Sequence, residues 1–163
     1  MKCRILYLVG QLGAGGLERQ LYFLLQGMDR EHYQPAVAVW NFSEVDAYVP
    51  RVRALGVPLY SLPRPLLPSS KLRNFRRLVK ELTPEVVHSY SFYTNIAAWW
   101  ATLGTDSIAV GAVRSDFVDD KASSGFFLGR LSARWPSKQI YNSFAAAERR
   151  GIFGRSLLPG RFL

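Results

Sequence analysis

Cysteine is nearly missing from this chain: Cys3 is the one thiol in 163 residues. That excludes an internal disulfide and any metal site built from several thiolates, and it is compatible with a reducing compartment. No apolar run approaches the roughly 20 residues that a bilayer-spanning helix needs. The basic start at Lys2 and Arg4 leads only into the short run Ile5 to Val9, less than the apolar core of a signal peptide, so the expectation is a soluble, cytoplasmic protein. Acidic residues are scarce too. There are 12 Asp+Glu against 21 Lys+Arg, which gives a formal net charge of +9. The 48% hydrophobic and 20% charged fractions match a folded globular chain and exclude a disordered tail, a collagen-like fibre or a rod.

The positive charge is concentrated. Residues 51–85 carry eight basic and two acidic residues, and residues 126–163 carry seven and one. The remainder is near neutral. Such patches attract an anionic partner: nucleic acid, anionic lipid or a phosphorylated substrate. Nucleic acid fits poorly, because the aromatics are not interleaved with the basic runs and no RNP, KH or zinc motif is present.

Apolar runs and helix-spaced stretches alternate along the chain. Strands are expected at Arg4–Val9, 35–42, 57–62, 85–89, 107–113 and 139–141. Helices are expected at 17–28, 45–55, 71–82, 92–103, 126–135 and 144–150, with a proline-rich loop over 63–70. The helix at 92–103 is apolar nearly all round, which suggests burial against a sheet. Six alternations predict a Rossmann-like, doubly wound parallel sheet in three α/β/α layers. Ligands of such sheets bind at the carboxyl ends of the strands. That selects the loops 10–16, 88–93 and 114–120.

Three groups of residues in those loops can carry chemistry. Gly13-Ala14-Gly15-Gly16 opens the first helix, where backbone can approach a ligand and the helix N-terminus favours anions. It is neither a dinucleotide fingerprint, since Glu18 occupies the third glycine position, nor a phosphate loop with Gly-Lys-Ser/Thr. Glu18 would repel a phosphate placed directly on the turn, so hydroxyl recognition, or a phosphate held slightly off-axis, fits better; a tight turn without ligand is the alternative. His88 ends strand four, with Tyr90 on the same sheet face. It is either a cleft imidazole or a core histidine bonded to backbone. Arg114 follows strand five, where it either binds an anionic group or pairs with Asp116, Asp119 or Asp120. Those acids match no EF-hand loop, and no metal site is expected.

The helix over 71–82 sets Leu72, Phe75, Leu78, Val79 and Leu82 on one side and Lys71, Arg73, Arg76, Arg77 and Lys80 on the other. A solvated face is the ordinary explanation. Leu66 and Leu67 in the preceding loop add the apolar element that an anionic bilayer surface would take, which makes the five cations candidate membrane-facing residues.

Gly15-Gly16-Leu17-Glu18-Arg19 resembles the G-G-x-E-R turn of retaining family-4 GT-B glycosyltransferases. Pro84-Glu85-Val86-Val87-His88-Ser89 resembles that family's P-D-V-V-H-x-H strand. Val113-Arg114-Ser115-Asp116 and Ile140-Tyr141-Asn142-Ser143 are similar to its later strand ends. The resemblance implies a GT-B N-terminal domain, the acceptor-binding half of an enzyme that moves a sugar from a nucleotide-sugar donor with retention. It implies no metal or other cofactor. Gly15, Gly16, Glu18, Tyr90, Arg114 and Asn142 would line the substrate cleft, with the Gly15-Gly16 turn near the donor phosphates and the acceptor, and His88 would lie near the reacting sugar. A glycolipid or polysaccharide acceptor at the inner membrane face is implied as well. Two departures stand out: Tyr90 replaces the motif's second histidine, and no glutamate pair has the E-x7-E spacing of the family's donor domain. The isolated chain is therefore expected to be inactive and to need a C-terminal donor-binding partner. The alternatives are a stand-alone membrane- or glycan-binding module, or an unrelated nucleotide-binding α/β domain.

Overall fold

The computed structural model describes residues 2–62, 68–113, 131, 132 and 134–141. In chain order the elements are β1 (Cys3–Val9), α1 (Gly16–Gly27), β2 (Tyr33–Val39), α2 (Val49–Ala54), β3 (Leu59–Ser61), α3 (Pro68–Leu82), β4 (Val86–Ser89), a 3-10 turn (Phe92–Thr94), α4 (Asn95–Thr102), β5 (Ile108–Val113) and β6 (Lys138–Tyr141). All strand pairs are parallel, in the order β3-β2-β1-β4-β5-β6. This is the expected doubly wound sheet, with its switch point between β1 and β4.

The central strand explains why both faces must be covered. Tyr7 and Val9 of β1 point into a core formed with Leu21 and Leu25 of α1 and Val49 and Val52 of α2. Leu6 and Leu8 point the other way, onto Phe75 and Val79 of α3 and Ala97, Ala98 and Ala101 of α4. Burying each such leucine contributes about 2 kcal/mol. Pro35 is tolerated inside β2. The residue two further on, Val37, donates to Pro58 on the β3 side, and β3 itself begins only at Leu59. The N–H that proline lacks therefore has no strand partner to miss.

Several boundaries differ from expectation for local reasons. Helix α2 starts at Val49 rather than 45. Asp46 turns inward to accept a hydrogen bond from the Leu12 amide at 3.0 Å, Val45 is 92% exposed, and Pro50 occupies the first turn. Helix α3 starts earlier, at Pro68. The expected helix over 92–103 divides into the 3-10 turn and α4, and its tryptophans are only half-buried. Trp99 stacks on Trp135 with ring centroids 4.7 Å apart and Trp100 lies beneath Arg76, so neither fills the sheet-facing side. Gly56 ends the α2 segment at φ 69°, as its position suggested. The loop 114–120, the helix at 144–150 and most of the helix at 126–135 lie outside the described residues, as do Leu66 and Leu67.

At the amino end of the sheet Arg4 clasps Glu85, with Nη2 to Oε1 at 3.1 Å, while the Arg4 amide also donates to Oε2. Hydrogen bonds from the Arg4 side chain and backbone lower the Glu85 carboxyl from its usual 4.5 to about 2. A lowered acid favours folding above its unfolded value and loses that contribution as pH falls towards its folded value. We therefore expect the stability of the wild-type chain to drop between about pH 4.5 and 2. Glu85→Gln should flatten that part of the stability curve, as measured by thermal unfolding in a pH series.

Candidate functional site

The carboxyl ends of β1, β2 and β4 converge on the glycine turn. The Gly10 amide donates to Ser91 Oγ at 3.0 Å and ties the end of β1 to the loop after β4. That loop is folded by its own hydroxyls. Ser89 Oγ and Thr94 Oγ1 lie within hydrogen-bond distance of the Ser91 carbonyl, at 2.9 and 2.8 Å, and of each other, at 2.7 Å, two hydroxyl protons serving the three contacts. The resulting 3-10 turn carries Tyr93 across the first loop. The Tyr93 hydroxyl lies directly over Gly10, where any Cβ would collide with it.

The turn itself has one occupant of its own. Gly15 precedes α1 with extended backbone and no side-chain cap. The Glu18 carboxylate folds back over it and takes the space of a Gly15 side chain. Glu18 is buried, with 7% of its surface exposed. Gly16, by contrast, faces open space. A side chain at position 10 would displace the Tyr93 phenol and one at position 15 the flexible tip of Glu18, while Gly16 leaves the helix N-terminus open to a ligand.

Tyr93, which sequence reasoning passed over inside an apolar run, is part of a polar cluster. Burial pushes its phenol up from the ordinary value; a hydrogen bond with the Asn41 side chain opposes the shift and the Glu18 charge adds to it. The hydroxyl is therefore a proton donor at neutral pH. Asn41 Oδ1 accepts a 3.0 Å hydrogen bond from Lys71 Nζ, which also sits 5.0 Å from the Trp40 ring centre. Lys71 is only 8% exposed. It does not lie on a membrane-facing surface, because its ammonium is turned inward against Trp40 and Asn41.

Arg76 needs the same correction. Its guanidinium donates to the carbonyls of Trp100 and Leu103 at 2.7 Å each and stacks over the Trp100 ring at 5.3 Å, capping the C-terminal end of α4. Arg73, Arg77 and Lys80 remain exposed, and Arg77 forms a surface pair with Glu81 at 3.5 Å. The expected row of five cations is a row of three.

His88 and Tyr90 do share a sheet face, as strand periodicity required. The imidazole packs against Tyr7 and Tyr90, with ring centroids 5.4 Å away in both cases, opposite Tyr7 in the β1–β4 register. With 8% and 2% of their surfaces exposed, His88 and Tyr90 belong to the buried aromatic layer rather than to the open mouth. Arg114 and Asn142 lie outside the described residues. Among the described residues no three His, Cys, Asp or Glu side chains are grouped as metal ligands, and no helix is long and apolar enough to cross a membrane.

An all-parallel sheet in this order, with a glycine turn at its switch point, is the Rossmann-like architecture of GT-B glycosyltransferases. The family profile of the glycosyl transferase 4-like domain matches residues 15–152, and the chain belongs to that family. Among solved structures, the chain is similar to Anabaena HepE in complex with UDP at a TM-score of 0.67 and 17% identity, covering 94% of this chain and 41% of that one. It is similar to the lipopolysaccharide outer core galactosyltransferase WaaB at a TM-score of 0.67 and 12% identity, covering 94% and 43%. It is also similar to MurG of Acinetobacter baumannii at a TM-score of 0.52 and 13% identity, covering 79% and 39%. The chain thus spans about two fifths of the length of the structures it resembles. No curated protein sequence matches it significantly.

Proposed function

We propose that this chain is the acceptor-binding half of a retaining glycosyltransferase that transfers a sugar from a nucleotide-sugar donor to a lipid-linked or polysaccharide acceptor. The observation that carries this reading is the family match over residues 15–152 together with the glycine turn at the sheet's switch point. The known ligand of one structural relative, UDP bound to HepE, supports a nucleotide-sugar donor. In this reading a second domain of similar size clamps the nucleotide sugar, while Gly15, Gly16 and Glu18 line the acceptor side of the cleft. Arg114 and Asn142 contribute from the later strand ends, and His88 and Tyr90 support the cleft from the aromatic layer. Expected for the purified 163-residue chain is no sugar transfer and no tight binding of UDP-sugars, measured with radiolabelled donors. Turnover by this chain alone would refute the proposal.

The same reading places the domain at an anionic membrane surface through α3. The supporting observation is the exposed trio Arg73, Arg77 and Lys80. Each near-surface cation contributes about 1 kcal/mol, so reversing all three to Glu should weaken binding to phosphatidylserine vesicles by roughly a hundredfold or more. Flotation at low and high salt measures this, and unchanged binding removes α3 from the membrane face. Lys71 and Arg76 should stay in place in that experiment, because both hold the fold together.

A further inference from the structure

Resting on the membrane-surface reading of α3, we infer that the outer face of α4 is where this domain enters an anionic bilayer, with the indoles of Trp99, Trp100 and Trp135 at the headgroup boundary and Arg73, Lys80 and Arg134 against the lipid phosphates.

Three of the chain's four tryptophans gather on this face. Trp99 and Trp100 follow each other on α4, and Trp135 stacks on Trp99 at an interplanar angle of 16°. All three are only half-buried, and Leu103, just past the same helix, is 41% exposed. Ring faces here are engaged within the protein. Trp135 meets both Trp99 and the Arg134 guanidinium, 5.4 Å from its centre, and Trp100 meets Arg76. The polar edges are not engaged. Among the described residues no hydrogen bond uses any of the three indole N–H groups, and none of those nitrogens is buried. An apolar ring with an unfilled donor suits the bilayer interface, where lipid oxygens take the N–H and acyl chains take the ring.

Charge selects the kind of bilayer. Positions 73, 76 and 80 lie on one side of α3 by helical spacing. Arg76 shows which side that is, because its guanidinium caps the end of α4. Lys80 agrees, since it lines one cavity with Gly104, Thr105 and Asp106, just past α4. Arg134 belongs to the other basic stretch of the sequence and reaches the same face through Trp135. Two basic segments far apart in the chain thus meet around the tryptophans, a pairing of cations and interfacial rings that fits anionic lipid. Arg77 is different. It sits one position on from Arg76, about 100° further round the helix, and is paired with Glu81. Within the exposed trio of α3, the lipid contact therefore falls to Arg73 and Lys80.

The test mixes the 163-residue chain with vesicles of phosphatidylserine and phosphatidylcholine, or of phosphatidylcholine alone. Tryptophan emission is read with a headgroup-proximal spin-labelled lipid as quencher, a measurement that needs no variant. Expected is a blue shift with quenching on the anionic vesicles and neither on the neutral ones. In flotation, Arg134→Glu, which lies outside α3, should weaken binding about fivefold or more, as should Arg73→Glu, and Arg77→Glu about twofold or less. High salt screens the ionic part. The binding that survives it should be lost when Trp99, Trp100 and Trp135 are all replaced by Phe, with circular dichroism showing that the fold is kept. Anionic-vesicle binding with unquenched tryptophans and full strength in Arg134→Glu overturns the inference and leaves the α3 reading standing. Absence of any binding to anionic vesicles overturns both. An emission shift with polyglutamate but none with vesicles assigns the face to an acidic polypeptide and overturns the lipid assignment.

Discussion

Replacing Asn95 by Asp is expected to destabilise the domain by on the order of 3 kcal/mol or more at neutral pH, because it buries a charge facing carbonyl oxygens. Asn95 has no exposed surface. Its amide nitrogen donates to the Ala112 and Ser132 carbonyls at 3.1 and 3.3 Å, and its oxygen accepts from the Ala112 amide at 3.1 Å. The β4–β5 pairing register ends at Val110. Beyond it the Asn95 side chain takes the place of the missing strand and satisfies both backbone groups of Ala112. A carboxylate can keep one of these bonds but loses both donors. Protonation restores a donor, so the folded-state pKa of the new carboxyl lies above its unfolded value. The folded state then binds the extra proton, and the loss of stability shrinks as pH falls. Asn95→Ala should show a loss with no such pH dependence. Thermal unfolding at pH 7 and pH 4 tests this, with an expected drop of about 6 to 12 °C for Asn95→Asp at the higher pH. A change of less than about 1 kcal/mol, small against that expected for a buried unpaired charge, contradicts the strand-replacement role.

The second large effect is expected at Phe75. This ring is fully buried between α3 and the sheet and meets Trp40 edge-on, with centroids 6.3 Å apart at 78°. Phe75→Ala should cost about 3–5 kcal/mol through lost burial and the cavity left behind. A fall in melting temperature of roughly 10 °C follows for a chain of this size. Phe75→Leu should lose about 1.5 kcal/mol or less. The consequence reaches the candidate site, because Trp40 is the surface on which Lys71 rests, and Lys71 holds Asn41. We therefore expect Phe75→Ala, at a temperature where it remains folded, to broaden the Tyr93 resonance. A sharp, unshifted signal would show that Phe75 and Tyr93 are not coupled.

The fold was readable because its signals are local. The alternation of apolar runs with helical spacing, the arrest at Gly56 and the shared face of His88 and Tyr90 each depend on residues within a few positions of one another. The misread parts depend on distance. A helical wheel puts Lys71 and Arg76 among solvated charges, yet the Asn41 that receives Lys71 lies 30 residues away and the carbonyls that receive Arg76 lie 24 to 27 residues on. Long basic side chains can reach inward from a polar face, and periodicity carries no sign of it. Tyr93 was hidden for another reason. An aromatic residue within an apolar run resembles core, and only the hydroxyl network of Ser89, Ser91 and Thr94 turns it outward. The short α2 was equally invisible, since the inward turn of Asp46 depends on the Leu12 amide 34 residues away. The candidate site was legible in its backbone, at Gly15, Gly16 and Glu18, and illegible in the side chains that face them.

The crossing of Tyr93 over Gly10 also constrains how this surface can diverge. Two positions far apart in the chain share a volume that admits one side chain between them. A gain at position 10 requires the Tyr93 ring to shrink or move, whereas position 93 can shrink by itself. Descendants of this sequence can therefore add a side chain at position 10 only together with a change at position 93, while a smaller residue at 93 needs no partner change.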